Sequence, residues 1–250
     1  MPASSTSFAQ TYADVADVQG WMTEAQAQRL WDRSGELTAP AQVVEIGSYQ
    51  GRSAIVLARA AAEGVAVVAI DPHGGNDRGP QQIHGEAAEG QADHEAFLAN
   101  LAEAGVSDRI RHVRLPSQDA HVEVDGDIDV LYIDGAHRYV PARDDIRDWG
   151  ARVAEGGTML IHDSFSSVGV TLALLTQLFF GARFRYVGRS GSMTEYRRER
   201  LGPVGRLTNA GRQAAQLPWF ARNVVIKAMI VAGLGRFTRL LGHREPTWPF

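Results

Sequence analysis

The chain has 250 residues, 44% hydrophobic content and a formal net charge of -4, enough to bury one good core as a single domain with extensions and no general attraction to nucleic acid. It has no cysteine, which excludes disulfides, thiolate metal sites and a cysteine nucleophile. The start, MPASSTSFAQTYADVADVQG, has neither a charged n-region nor an apolar h-region, so no secretory signal is read there and a cytoplasmic location is expected.

From Thr23 onward helix and strand patterns alternate, which predicts an α/β fold, a mostly parallel sheet with helices on both faces. TEAQAQRLWDRSGEL reads as a first helix with Thr23 as its N-cap. AQVVEIG is a strand, SAIVLARAAAE a helix, and AVVAIDP a second strand stopped by Pro72. The run from His73 to Gln91, HGGNDRGPQQIHGEAAEGQ, is too rich in glycine and charge for core. Loops of that length serve as lids or binding loops, and His73 and His84 within it are expected to be solvated. HEAFLANLAEAG is a helix, IRHVRLP a strand, and DIDVLYIDG a strand ending at Asp134. VPARDDIRDWGARVAEGG reads as a helix closed by Gly156 and Gly157, and TMLIHDS as a strand ending at His162 and Asp163. VTLALLTQLFF is an apolar helix, and FRYVGRS with MTEYRRER a terminal antiparallel pair.

The character changes at Leu201, dividing the chain into an N-terminal helical extension (1–38), a central domain (39–200) and a basic amphipathic tail (201–250). The tail carries Arg206, Arg212, Arg222, Lys227, Arg236, Arg239 and Arg244 against the single acid Glu245. Its apolar run NVVIKAMIVAGL is shorter than the ~20 residues of a membrane span. A basic amphipathic segment can lie on an anionic membrane surface. Packing on its own domain or on a second subunit, giving a homo-oligomer, is the favoured alternative.

In open parallel α/β sheets, ligands bind beyond the carboxyl ends of the strands, and polar side chains collect there in this sequence. Gly47 and Gly51 let the turn after the first strand come close to a ligand, although loop geometry alone explains such a pair equally well. Glu45 and Asp71 offer carboxylates to a cation or to ribose hydroxyls. The turn GSYQGRS lacks the G-x-G-x-x-G of dinucleotide sites, so a nucleotide without phosphates fits better. Asp134 and Asp163 end two further strands, with His137 and His162 beside them. Two carboxylates with polar neighbours and no cysteine make an oxygen-rich site suited to Mg²⁺ or Mn²⁺. Taken singly, Asp134 could cap a turn and His162 could be a satisfied half-buried histidine; their convergence on one sheet edge favours a site.

At VVEIGSYQGRS, AIDPHGG, LYIDGAHRYVPARDDIRDW and EGGTMLIHDSF the chain resembles class I S-adenosylmethionine-dependent methyltransferases of the group that shares a D-G-x-H and an H-D pattern. The resemblance runs from about Trp21 to Ser190. It implies a Rossmann-like, seven-stranded domain that binds S-adenosylmethionine, with an N-terminal helix and a helical tail added. It points to metal-dependent O-methyltransferases of sugar hydroxyls, among them macrolide and aminocoumarin sugar enzymes and the methylmannose polysaccharide 1-O-methyltransferases. The resemblance also implies roles. Glu45, Gly47 and Ser53 hold the methionine part, Asp71 the ribose, and Ser117 with Gln118 the adenine edge. Asp134 and Asp163 ligate Mg²⁺ or Mn²⁺, His137 is the general base, and Asp134 acts with it through the ion. His162 stands where some sugar enzymes carry a second acid and is a further candidate ligand. The implied acceptor is a small molecule or an oligosaccharide. The rival readings are an NAD-dependent oxidoreductase and a non-catalytic protein that binds S-adenosylmethionine or docks at membranes through its tail.

Overall fold

The computed structural model describes residues 6–76 and 84–244. Seven strands form one sheet: β1 (Gln42–Ile46), β2 (Ala66–Ile70), β3 (Ile110–Val113), β4 (Ile128–Ile133), β5 (Val153–Ile161), β6 (Phe184–Ser190) and β7 (Met193–Arg198). Their spatial order is β3-β2-β1-β4-β5-β7-β6. β1 to β5 pair in parallel, and β7 runs antiparallel to both β5 and β6. The expected mostly parallel, seven-stranded sheet with a terminal antiparallel pair is therefore present.

Both faces are covered, which is why the strands read as apolar runs. Successive side chains point to opposite faces. Val44, Ile46, Leu131 and Ile133 join one core with Trp149, Phe165 and Tyr196, while Val43, Val130 and Tyr132 join the other with Leu30, Leu57 and Phe97. The second face is covered by α1 (Phe8–Asp14), α2 (Glu24–Gly35), α3 (Arg52–Ala60) and α4 (Ala87–Glu103), and the first by α5 (Tyr139–Asp148) and α6 (Val168–Gln177). Thr23 caps α2 as expected, in a reciprocal box in which its hydroxyl accepts from Gln26 N and the Gln26 side chain accepts from Thr23 N. Such a cap contributes about 0.5–2 kcal/mol.

Four expectations are corrected. α1 precedes the first expected helix, with Ser7 accepting from Gln10 N as its cap. α4 begins at Ala87, inside the segment read as a lid; residues 77–83 of that segment lie outside the described residues. His73 is 5% exposed rather than solvated, because Phe97 and His112 pack against its ring; His84 is exposed as expected. Finally, α5 stops at Asp148, and Gly156 and Gly157 lie inside β5. Gly156 has φ +80, and a Cβ at Gly157 would stand 2.9 Å from Ala154 O and 3.0 Å from Asp129 O. The pair makes the irregularity at which Ile128 faces Val153 but Val130 faces Thr158, a bulge rather than a helix stop.

The tail folds as α7 (Pro203–Ala214) and α8 (Leu217–Val231), then a 3₁₀ segment over Gly235–Leu241. It docks through polar contacts: Asn209 accepts from Tyr186 N at 2.7 Å and donates to Phe184 O at 3.0 Å, and Gln213 accepts from Tyr196 OH at 2.9 Å. Among the described residues no helix is long and apolar enough to cross a membrane.

Candidate functional site

The strand order reverses between β1 and β4, the switch point at which open α/β sheets bind ligands. There the carboxyl ends of β1, β2, β4 and β5 border a cavity of about 1300 Å³ lined by Ser53, Asp71, Ser117, Gln118, Asp134, His137, His162 and Asp163 among others. Gly47 has φ +86, and a Cβ there would fall 2.2 Å from Asp134 O. The ends of β1 and β4 pass that closely because Asp134 N donates to Ile46 O at 2.8 Å. Gly51 has φ +90, and a Cβ there would stand 3.1 Å from the Phe97 ring. Packing within the fold thus accounts for both glycines.

Glu45 is fully buried and does not line the cavity; it accepts a hydrogen bond from Ser53 Oγ, which does. Its other carboxylate oxygen has no partner among the described residues, and burial pushes its pKa up to about 8. Asp71 is anchored by two amides, His73 N to Oδ1 at 2.7 Å and Tyr49 N to Oδ2 at 2.8 Å. A carboxylate has about four lone-pair sites, so capacity remains toward the cavity. Ser117 donates its hydroxyl to Asp145 at 2.5 Å, whose carboxyl burial pushes up to about 6. Of the two residues assigned to an adenine edge, Gln118 therefore keeps the freer side chain.

At the ends of β4 and β5 the ionisable groups form a chain. His137 Nε2 lies 2.9 Å from Asp163 Oδ2, and His162 Nδ1 lies 3.2 Å from Asp134 Oδ1 and 3.7 Å from Asp163 Oδ2. Tyr132 OH donates to Asp134 Oδ2 at 2.9 Å. Burial alone would lower both imidazoles, but Asp163 outweighs it at His137, and Asp134 with Asp163 outweighs it at His162; both rings are raised, His162 well above the usual range. Burial would raise Asp163, yet His137 and His162 hold it well below the ordinary carboxylate range. Asp163 and Phe165 sit at φ +54 and +55, a conformation that non-glycine residues rarely keep and that clusters at functional sites.

Asp134, His162 and Asp163 each bring one ligand atom to within 4.8 Å of the others. Neither His162 ring nitrogen makes an aligned hydrogen bond among the described residues, despite the short carboxylate distances. Two carboxylate oxygens and a buried imidazole fit a divalent cation once His162 gives up the proton that the carboxylates favour, and the nitrogen suits Mn²⁺ at least as well as Mg²⁺.

Lys227 also reaches this cavity from α8. Its Nζ donates to Ser166 O at 2.9 Å and Ser166 Oγ at 3.1 Å, and burial lowers its pKa while Asp163 opposes the shift. Sequence reasoning passed it over as part of a packing helix, although it is the chain's only lysine amid many arginines. Trp21, stacked on Tyr49 at 5.7 Å, was missed as well and lines the cavity.

Residues 44–164 match a family described as a methyltransferase domain. This part of the chain is similar to methyltransferase domains. The match takes in Glu45, Asp71, Asp134, His137 and Asp163. Solved structures share the fold. The O-methyltransferase NovP is 16% identical, with TM-score 0.60 and coverage of 74% of this chain and 84% of that one. The SAH-bound methyltransferase PaMTH1 of Podospora anserina is 15% identical, with TM-score 0.57 and coverage of 77% and 87%. Cofactor-bound Rv0187 from MTB is 18% identical, with TM-score 0.52 and coverage of 78% and 88%.

Proposed function

We propose that this chain is a methyltransferase that transfers the methyl group of S-adenosylmethionine to a hydroxyl oxygen of a sugar or glycan. The observation that carries this reading is that one cavity joins Ser53 and Asp71 on one side to Asp134, His137 and Asp163 on the other. Its volume of about 1300 Å³ exceeds the roughly 300–1,000 Å³ of a single-ligand pocket, leaving room for cofactor and acceptor together. The fold it shares with the SAH-bound methyltransferase and with the O-methyltransferase NovP supports the same reading.

In this mechanism the acceptor oxygen attacks the sulfonium methyl carbon in line, the C–S bond breaks, and S-adenosylhomocysteine and a methyl ether result. The hydroxyl proton passes to His137. With Nε2 held by Asp163, the other ring nitrogen takes that proton, while Asp163 fixes the ring and stabilises the imidazolium. A divalent ion held by Asp134, His162 and Asp163 would polarise the acceptor hydroxyl. General-base assistance supplies ~10²–10⁴-fold and positioning as much or more.

The test is transfer from methyl-labelled S-adenosylmethionine across a panel of sugars, phenols and lipid-linked glycans. Labelled ether on a sugar hydroxyl supports the proposal; transfer confined to phenols, or no S-adenosylhomocysteine with any acceptor, overturns it. The same reading places the protein in the cytoplasm, with a small-molecule or oligosaccharide acceptor and no nucleic acid. The tail's exposed Val231, Leu234, Phe237 and Leu240 would be covered by a second copy of the chain. A dimer mass in light scattering is expected, and flotation with anionic vesicles would replace this partner with a membrane surface.

A further inference from the structure

Beside the cavity, on the β2/β3 edge of the sheet, three histidines from separate segments meet. His73 follows β2, His94 lies on α4 and His112 on β3. Their ring centroids form a nearly equilateral triangle, 5.1 Å between His73 and His94, 5.0 Å between His73 and His112, and 5.1 Å between His94 and His112. One ligand nitrogen from each ring lies within 4.8 Å of the other two. We propose that His73, His94 and His112 form a binding site for a zinc-class transition-metal ion that clamps the segment after β2 to α4 and β3.

The tautomers carry the argument. His73 Nε2 lies 2.8 Å from Tyr49 O; a carbonyl can only accept, so this nitrogen carries the proton and Nδ1 keeps its lone pair. His112 is hydrogen bonded to the backbone of Asp71, while its Nε2 has no partner. In all, Nδ1 of His73, Nδ1 of His94 and Nε2 of His112 are buried without a hydrogen-bond partner among the described residues. A ring held by a backbone carbonyl through one nitrogen, with the other nitrogen bare, is the arrangement that orients imidazole ligands on metals. Zinc holds imidazole nitrogen at about 2.0–2.1 Å, so small ring rotations suffice to bring nitrogens already within 4.8 Å onto one ion.

Packing alone does not explain this geometry. Phe97 packs at a tilt near His112 at 4.6 Å and near His73 at 5.4 Å, which accounts for burial but not for three rings that meet at one point, each with a nitrogen lacking a hydrogen-bond partner among the described residues. Burial, then the neighbouring histidines, push His112 down to about 4, and burial with Arg114 and His73 lowers His94. The three ligands are all imidazoles, with the Asp71 carboxylate 3.9 Å from His73 Nδ1 and Arg114 close enough to act on His94, a donor set that favours imidazole-seeking ions over hard cations such as Mg²⁺ and Ca²⁺.

The backbone around the cluster is tightly fitted. His73 itself sits at φ +47. A Cβ on Gly90 would fall 2.0 Å from His73 O, and one on Gly75 would fall 2.3 Å from Glu86 O, so the segment lies directly on the first turns of α4. His73 N also donates to Asp71 Oδ1. An ion on the three rings would therefore brace the loop that presents Asp71.

The test uses the full chain, freed of metal with a chelator, in an Asp134→Asn/Asp163→Asn background that disables the other cluster. Co²⁺ is titrated as a spectroscopic probe, Zn²⁺ is used to displace it, and the number of imidazole ligands is counted by X-ray absorption. One equivalent of Co²⁺ with three imidazole nitrogens, displaced by Zn²⁺, is expected, together with a rise in the thermal midpoint. His94→Gln and His112→Gln, each checked for folding by circular dichroism, should weaken Zn²⁺ binding at least tenfold. Absence of stoichiometric binding in the background protein overturns the proposal, as does an ion whose affinity is unchanged in both variants. The ligand count needs no histidine variant, so the proposal stays falsifiable even where a variant does not fold.

Discussion

The two groups of metal-competent side chains on this sheet differ in charge. At the ends of β4 and β5, Asp134, His162 and Asp163 mix carboxylates with imidazole, and His137 adds a second ring to the ion-pair chain. At the β2/β3 edge, His73, His94 and His112 are imidazole alone, with Phe97 for company. Burial acts on both groups, yet the histidines shift in opposite directions. Carboxylates outweigh desolvation and raise His137 and His162, whereas desolvation wins at His94 and His112. The same residue type is thus tuned toward holding protons in one place and toward remaining a neutral ligand in the other.

The largest expected effect separates the clusters by metal. Chelation should abolish turnover, with Mg²⁺ or Mn²⁺ restoring it and one equivalent of Zn²⁺ at the three histidines failing to do so, while calorimetry still shows S-adenosylmethionine binding. Restoration by Zn²⁺ alone would move the functional ion to the wrong cluster. Next in size, His137→Ala should lower kcat by ~10²–10⁴ with cofactor affinity retained; a loss under threefold would remove the base from the mechanism.

Asp71 lies between the clusters, accepting from His73 N on one side and lining the cavity on the other. Asp71→Ala should weaken S-adenosylmethionine binding more than roughly tenfold, from a charge-assisted hydrogen bond of ~1.5–3 kcal/mol. Unchanged affinity in calorimetry would sink its assignment to the ribose.

An effect on stability rather than turnover tests the buried carboxyl that faces neither cluster directly. Burial raises Glu45 to about 8, so between its ordinary carboxylate value and that pKa the folded chain holds a proton that the unfolded chain releases. The stability from this group is complete at low pH and is lost as pH rises through about 8. Glu45→Gln mimics the protonated side chain. Melts from pH 5 to 8.5 should therefore show wild type losing stability relative to the variant, by a few kcal/mol across the range. Parallel curves would show that Glu45 is ionised in the fold. Because a cofactor ammonium would favour the carboxylate, S-adenosylmethionine affinity should also rise with pH in wild type and not in Glu45→Gln.

The fold and the strand-end acids were legible because they are local. Buried parallel strands must be apolar runs, and a polar residue that interrupts such a run at its carboxyl end, as Asp71, Asp134 and Asp163 do, announces itself. The same locality misled where glycine was concerned. Gly156 and Gly157 signal a departure from regular backbone, but whether it ends a helix or bulges a strand depends on pairing with Asp129 and Val130 across the sheet.

By itself the sequence determined the alternation that makes a mostly parallel sheet, the edge at which polar chemistry collects, and the D-G-x-H and H-D segments that bring Asp134, His137, His162 and Asp163 together. Only the tertiary structure decided that Lys227 enters the same cavity from the tail, that Glu45 sits behind Ser53 rather than in the open, and that His73, His94 and His112 share one point. The physical reason is range: strand ends are set by neighbours a few residues away, whereas these three meetings depend on how helices from distant parts of the chain settle on the sheet.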